Sequence, residues 1–198
     1  MDAVVARLLE EDVKAIVIAC NTATSAAAQS LRERLTLPIV GIEPALKPAH
    51  MLRREGSILV LATPVTLRLE KFRRLMEHYG EGAVPVPCPG LMDLVEREDF
   101  PAARRYLEAA LAPFDLDGVD AVVLGCTHYV FLRPLLHGLL PDRVAVVDGN
   151  EGTARQLRRV LEQRGLLAPR ESGGDVELRT TGDPELALPV MRRLLARA

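Results

Sequence analysis

Two stretches, KAIVIACNT (14–22) and DAVVLGCTH (120–128), share one layout. Each opens on a charged residue, runs through four apolar residues and a small one, and ends in Cys followed by polar residues that include Thr. A short continuous apolar run rich in β-branching reads as a strand covered on both faces. The repetition predicts two similar α/β units related by a pseudo-twofold axis. Open α/β sheets bind ligands beyond the carboxyl ends of their strands. The symmetry therefore predicts that Cys20 and Cys126 face each other across one cleft.

Working outward from these strands, apolar runs alternate with amphipathic stretches over the whole chain. Strands are predicted at Lys14–Ala19, Ile39–Ile42, Ser57–Ala62, Ala83–Val86, Ala121–Gly125, Val144–Asp148 and Val176–Thr180. Helices are predicted at Ala3–Leu9, Ser25–Leu35, Val65–Tyr79, Pro101–Leu111, Gly152–Arg164 and Glu185–Ala196. Such alternation predicts an α/β fold with a mainly parallel sheet. The first unit is expected to be discontinuous, residues 1–44 and 147–198, with the second at 45–146. The crossings fall near Glu43-Pro44 and Asp148-Gly149. Gly173-Gly174 reads as a turn, because no phosphate-loop pattern surrounds it.

Composition narrows the function classes. The chain has 198 residues, 48% hydrophobic and 26% charged, which is a globular composition. A net charge of -2, with arginines spread along the chain, argues for neither nucleic acid nor a membrane surface. No apolar run reaches the roughly 20 residues that span a bilayer, and the acidic Glu10, Glu11 and Asp12 do not fit a signal peptide. Three cysteines without a CxxC spacing make neither a disulfide framework nor a zinc site. They suit a reducing cytoplasm. Of the three, Cys88 reads as packing, since CPGL lacks polar residues after it.

The paired strand ends point to proton chemistry. Inverting an amino acid needs one base on each face of the α-carbon. Two facing thiols supply both, one removing the α-proton and the other returning one, once a thiol can ionise near working pH. Polar side chains and backbone N–H groups beyond a strand can hold the carboxylate.

The segments ACNTATSAA (19–27), PIVGIEPALKPA (38–49), ATPVTL (62–67), CPGLMDLVE (88–96), LGCTHYVFLRPLL (124–136), VDG (147–149) and TTGDP (180–184) resemble the glutamate racemases in family order. His128 after Cys126-Thr127 is the glutamate-type residue at that place. The resemblance implies two flavodoxin-like domains with the active site between them. It implies that Cys20 acts on D-glutamate and Cys126 on L-glutamate, with His128 and Glu96 assisting Cys126. Asn21, Thr22 and Thr127 would bind the α-amino and α-carboxylate groups, and Thr63 and Thr66 would line the cleft. It further implies no cofactor, a small-molecule partner (glutamate), no nucleic acid, no membrane, and D-glutamate supply for peptidoglycan. A homodimer is left open.

One departure stands out. The family opens with a strand ending in Asp-Ser-Gly and a Pro-Tyr-Gly loop, and neither is in this sequence. The expectation is a chain lacking that N-terminal segment, as a fragment, a mis-assigned start or a lost wall. A rival reading is therefore an inactive relative that binds glutamate or a protein. A racemase for another acidic amino acid is a third, opposed by His128. The sequence has no zinc spacing or phosphate loop, and its only lysines are Lys14, Lys47 and Lys71. Racemisation, followed by circular dichroism of L-glutamate, should survive a chelator and carbonyl reagents but not thiol alkylation. Loss to the chelator with rescue by a metal would contradict this.

Overall fold

A computed structural model describes residues 1–169 and 173–197. The chain runs α1 (Asp2–Leu9), β1 (Ile16–Ile18), α2 (Asn21–Arg34), β2 (Ile39–Gly41), α3 (Leu46–Leu52), β3 (Ser57–Ala62), α4 (Pro64–Arg68), α5 (Glu70–Tyr79) and β4 (Ala83–Pro87). It continues with α6 (Leu91–Glu96), α7 (Phe100–Leu111), β5 (Val119–Leu124), α8 (Arg133–His137), β6 (Ala145–Val147), α9 (Asn150–Gln163) and α10 (Pro184–Leu195). Short 3-10 turns occupy Leu116–Gly118 and Thr127–Leu132.

The strands form two parallel sheets. β1 pairs with β2, and a four-stranded sheet has the order β4-β3-β5-β6. The larger sheet is covered on both faces, and the period of two along its strands sorts the core. Leu59 and Leu61 of β3 join Val122 and Leu124 of β5 on one face, against α6, α7 and α8 residues such as Leu91, Leu107 and Leu136. Ile58, Val60, Ala121 and Val123 point the other way, onto Leu46, Ala49 and Phe72 of α3 and α5. Burying each such Leu or Ile stabilises by about 1.5–3 kcal/mol. The small sheet has its own core, in which Ile16, Ile18 and Ile39 pack on Val5, Ala28 and Leu31 of α1 and α2.

Helix starts follow local capping chemistry. Thr63 caps α4 by accepting from Thr66 N at 3.2 Å, and Asp99 caps α7 by accepting from Ala102 N at 3.0 Å. Each has Pro in the first helical turn. At the far end, α10 rests on the α6–α7 corner. Arg193 and Arg197 both pair with Glu98, and the Arg197 guanidinium lies 5.0 Å above the Phe100 ring.

Three expectations are corrected. The helix expected from Ser25 begins at Asn21, directly after Cys20, so the polar residues there belong to a helical turn. The helix expected over 65–79 is two helices, because Leu69 is extended with ψ 140. The strand expected at Val176–Thr180 does not form. Its two apolar side chains offer no continuous face: Val176 is 71% exposed, and Arg179 reaches out to Glu11 and Glu177. Among the described residues no helix is long and apolar enough to cross a membrane.

The end of β5 shows how closely the sheet is packed. A Cβ on Gly125 would lie 2.7 Å from Ala62 Cβ and 2.9 Å from Leu61 O. The Gly125 N–H also donates to Leu61 O at 2.7 Å, so the backbone cannot swing away without losing that bond. Gly125→Ala should cost about 1–3 kcal/mol by overpacking, read as a lower midpoint in urea unfolding. An unchanged midpoint would contradict this packing.

Candidate active site

The two strands of the repeat end side by side. β1 leads into Cys20, which sits at the head of α2 with extended backbone (φ -145, ψ 126). β5 leads through Gly125 into Cys126, which heads the Thr127–Leu132 turn with nearly the same backbone (φ -129, ψ 137). Asn21 Nδ2 donates to Gly125 O at 2.8 Å, and Asn21 is buried. The residue after one cysteine is thus tied to the residue before the other. Asn21 Oδ1 is also buried and has no hydrogen-bond partner among the described residues.

Threonines make a second bridge between the two units. Thr22 Oγ1 lies 3.3 Å from Thr66 Oγ1, which lies 3.0 Å from Thr63 Oγ1. The cap of α4 and the first turn of α2 thereby share one chain of hydroxyls. Thr66 is buried, while Thr22, Thr63 and Thr127 are half-buried.

The Cys126 side carries an acid–base chain. His128 Nδ1 lies 3.8 Å from Cys126 Sγ, and His128 Nε2 lies 2.8 Å from Glu96 Oε1, at the end of α6. An ionised carboxylate only accepts, so the proton of this bond sits on Nε2. A neutral ring then presents the Nδ1 lone pair toward the thiol.

The three thiols differ in environment. Cys20 is exposed, Cys126 half-buried and Cys88 fully buried. Burial pushes the Cys126 thiol up from its ordinary value, and Cys20 and Glu96 push it further. The backbone N–H groups of His128 and Tyr129 oppose that rise. Burial pushes Cys88 up to about 12, and its Sγ points back at Val86 O, 3.4 Å away.

A model of the Asp/Glu/hydantoin racemase family matches residues 1–157. The chain belongs to that family. It is 48% identical over 186 residues to the glutamate racemase of Bifidobacterium adolescentis, an alignment spanning 89% of this chain and 71% of that protein. Among solved structures, it is similar to the Thermus thermophilus glutamate racemase in complex with beta-chloro-D-alanine. There the TM-score is 0.77 at 36% identity, over 98% of this chain and 73% of that one. It is also similar to the Escherichia coli glutamate racemase in complex with L-glutamate and an activator, UDP-MurNAc-ala. That likeness has a TM-score of 0.79 at 29% identity, over 96% of this chain and 75% of that one. The expected two-domain α/β racemase fold is therefore correct.

The family's fold is held around the site by residues whose roles were not read from the sequence. Tyr129 is fully buried and donates its hydroxyl to Cys88 O at 3.1 Å, which anchors the turn beyond Cys126. Thr24 donates to Ile18 O at 3.0 Å, and a Cβ on Gly41 would fall 2.4 Å from Thr24 Cγ2, so α2 lies tight against β1 and β2. Both threonine and tyrosine stood inside quoted motifs. Their partners are main-chain groups, which no motif displays.

The raised Cys126 thiol gives a pH expectation. A raised value keeps the thiol protonated through neutrality, and thiolate grows in only above the ordinary thiol range. In iodoacetamide labelling of the folded chain followed by mass spectrometry, Cys20 should label first. Cys126 should follow at a rate that keeps rising into the alkaline range, and Cys88 should label last. Cys126 labelling at neutral pH as fast as a free thiol would contradict the assignment.

Proposed function

We propose that this chain interconverts L- and D-glutamate by two-base proton transfer between Cys20 and Cys126. The observation that carries the proposal is the Asn21–Gly125 hydrogen bond, which ties the two thiol-bearing strand ends together. Several kinds of support converge on it: the Cys126–His128–Glu96 chain, the family membership, and relatives named glutamate racemases.

In the L-to-D direction the Cys126 proton first passes to His128 Nδ1, and Glu96 stabilises the imidazolium that results. The Cys126 thiolate then takes the α-proton, breaking Cα–H and forming S–H, and leaves the electron pair on the α-carbon. Cys20 S–H delivers a proton to the opposite face and becomes the thiolate. The D-to-L direction reverses these roles. Both thiols exchange protons with water between turnovers, so no net charge or redox change is needed. Raising the Cys126 value favours the thiol as proton donor, and the nearby imidazole lets it serve as base as well.

Substrate groups have matching partners. The α-ammonium can donate to Asn21 Oδ1, the buried acceptor with no partner among the described residues. The α-carboxylate suits the hydroxyls of Thr22 and Thr127 and the N–H groups of the first turn of α2, which has no side-chain cap at Cys20. Thr63 and Thr66 line the second-unit wall through their hydroxyl chain. This reading takes the chain as two α/β domains, 45–146 and the remainder, and places the reaction in the cytosol, where thiols stay reduced. It gives D-glutamate for peptidoglycan as the product's use.

The test is by substitution. Cys20→Ser and Cys126→Ser should each cut racemisation of L-glutamate by roughly 10³-fold or more, because groups acting as a unit fail together. Near-normal turnover by either variant would overturn the two-thiol assignment.

A further inference from the structure

The two segments that join the small sheet to the large one meet at a point. One follows β2 at 42–45 and the other follows β6 at 148–150. A Cβ on Gly149 would lie 2.5 Å from Glu43 O and 2.9 Å from Ile42 Cγ1, so nothing larger than hydrogen fits between them. Each segment is also pinned to the large-sheet unit by an ion pair. Lys71 Nζ on α5 lies 2.7 Å from Glu43 Oε1. Arg133 Nη2 at the start of α8 donates to Asp148 Oδ2 at 2.5 Å, and Arg133 Nη1 donates to Val146 O at 2.6 Å.

The second pin is the more sheltered. The Asp148 side chain is 16% exposed, against 46% for Glu43, so water screens it less. A guanidinium fork gripping a carboxylate and a carbonyl also fixes direction, which a single ammonium contact does not. Asp148 has a further bond: Oδ1 accepts from Asn150 N at 2.8 Å, at the first turn of α9.

We propose that Arg133 and Asp148 form the pivot that sets how far apart the two thiols stand. Arg133 directly follows the turn headed by Cys126. Asp148 holds the start of α9, which packs on β2; β2 pairs with β1, and β1 runs into Cys20. One carboxylate therefore grips the Cys126 side through Oδ2 and the Cys20 side through Oδ1. A cavity of about 1040 Å³ opens beside this junction, lined by Arg133, Asp148, Gly149 and Glu43 and by neither thiol. Arg133 is thus a positioning residue, acting on the reaction through the thiol spacing.

The consequence for turnover rests on the proposed racemisation, whereas the pivot itself does not. The experiment therefore reads geometry first. A short bifunctional alkylating reagent that fluoresces only when it bridges two thiols measures the spacing of Cys20 and Cys126 directly. Arg133→Ala and Asp148→Asn should slow bridging by about 10- to 100-fold, since a displacement of about 1 Å between groups that must align costs up to about 100-fold. Single alkylation of exposed Cys20 should keep its wild-type rate. Arg133→Lys, which keeps the charge and loses the fork, should fall between. For L-glutamate, kcat should drop with bridging while KM moves little. Asp148→Asn keeps the Oδ1 acceptor for α9, so it carries the test if Arg133→Ala fails to fold. Wild-type bridging in a folded Asp148→Asn chain overturns the pivot. Bridging that responds as expected in a chain that never racemises glutamate leaves the pivot standing and overturns the proposed reaction.

Discussion

The site depends on one buried hydrogen bond, from the Asn21 amide to the Gly125 carbonyl. Gly125 has already given its N–H to Leu61 of the neighbouring strand. Its carbonyl, turned away from the sheet, therefore needs a partner from the other unit. Leaving such a group unpaired in a buried place costs about 1–3 kcal/mol, a large share of a domain's marginal stability. Satisfying it brings β1's end against β5's end, and each carries a cysteine at the adjoining position. The threonine chain Thr22–Thr66–Thr63 repeats the connection in weaker form.

Symmetry of backbone then coexists with asymmetry of environment. Both cysteines leave their strands with the same extended geometry and stand just before a helical turn. Of the two, Cys126 alone has a histidine two residues on, backed by a carboxylate from a different helix, and burial pushes its thiol up. The larger sheet explains the difference. Its strands are covered on both faces by α3, α5, α6 and α7, so the end of β5 lies deep, whereas Cys20 ends a two-stranded sheet and is exposed. Groups of one chemical type can take different acid–base roles when their surroundings differ in this way.

Much of this was legible in the sequence because it is local or periodic. The run SILVLA has six apolar or small residues between turns, and β3 has those bounds, Ser57–Ala62. The repeat of four apolar residues, a small residue and Cys placed both thiols at strand ends. What escaped were features set by partners distant in the chain. Leu69 breaks a run with good helical periodicity. Val176–Thr180 has a strand-like alternation with no face to bury. The Asn21–Gly125 and Arg133–Asp148 links join residues whose individual letters say nothing of each other. Gly125 could have been flagged, since a glycine at the end of a buried β-branched strand often marks a close backbone approach.

The proposed reaction uses two different groups, one on each face of the α-carbon. Racemisation of L-glutamate in heavy water tests this most directly, by measuring α-deuterium in each enantiomer at early times. With two bases, the D-glutamate formed should carry deuterium from solvent while the remaining L-glutamate stays almost wholly protiated. Product D-glutamate that retains the original α-proton would show a single group serving both faces and would rule out the two-base reaction.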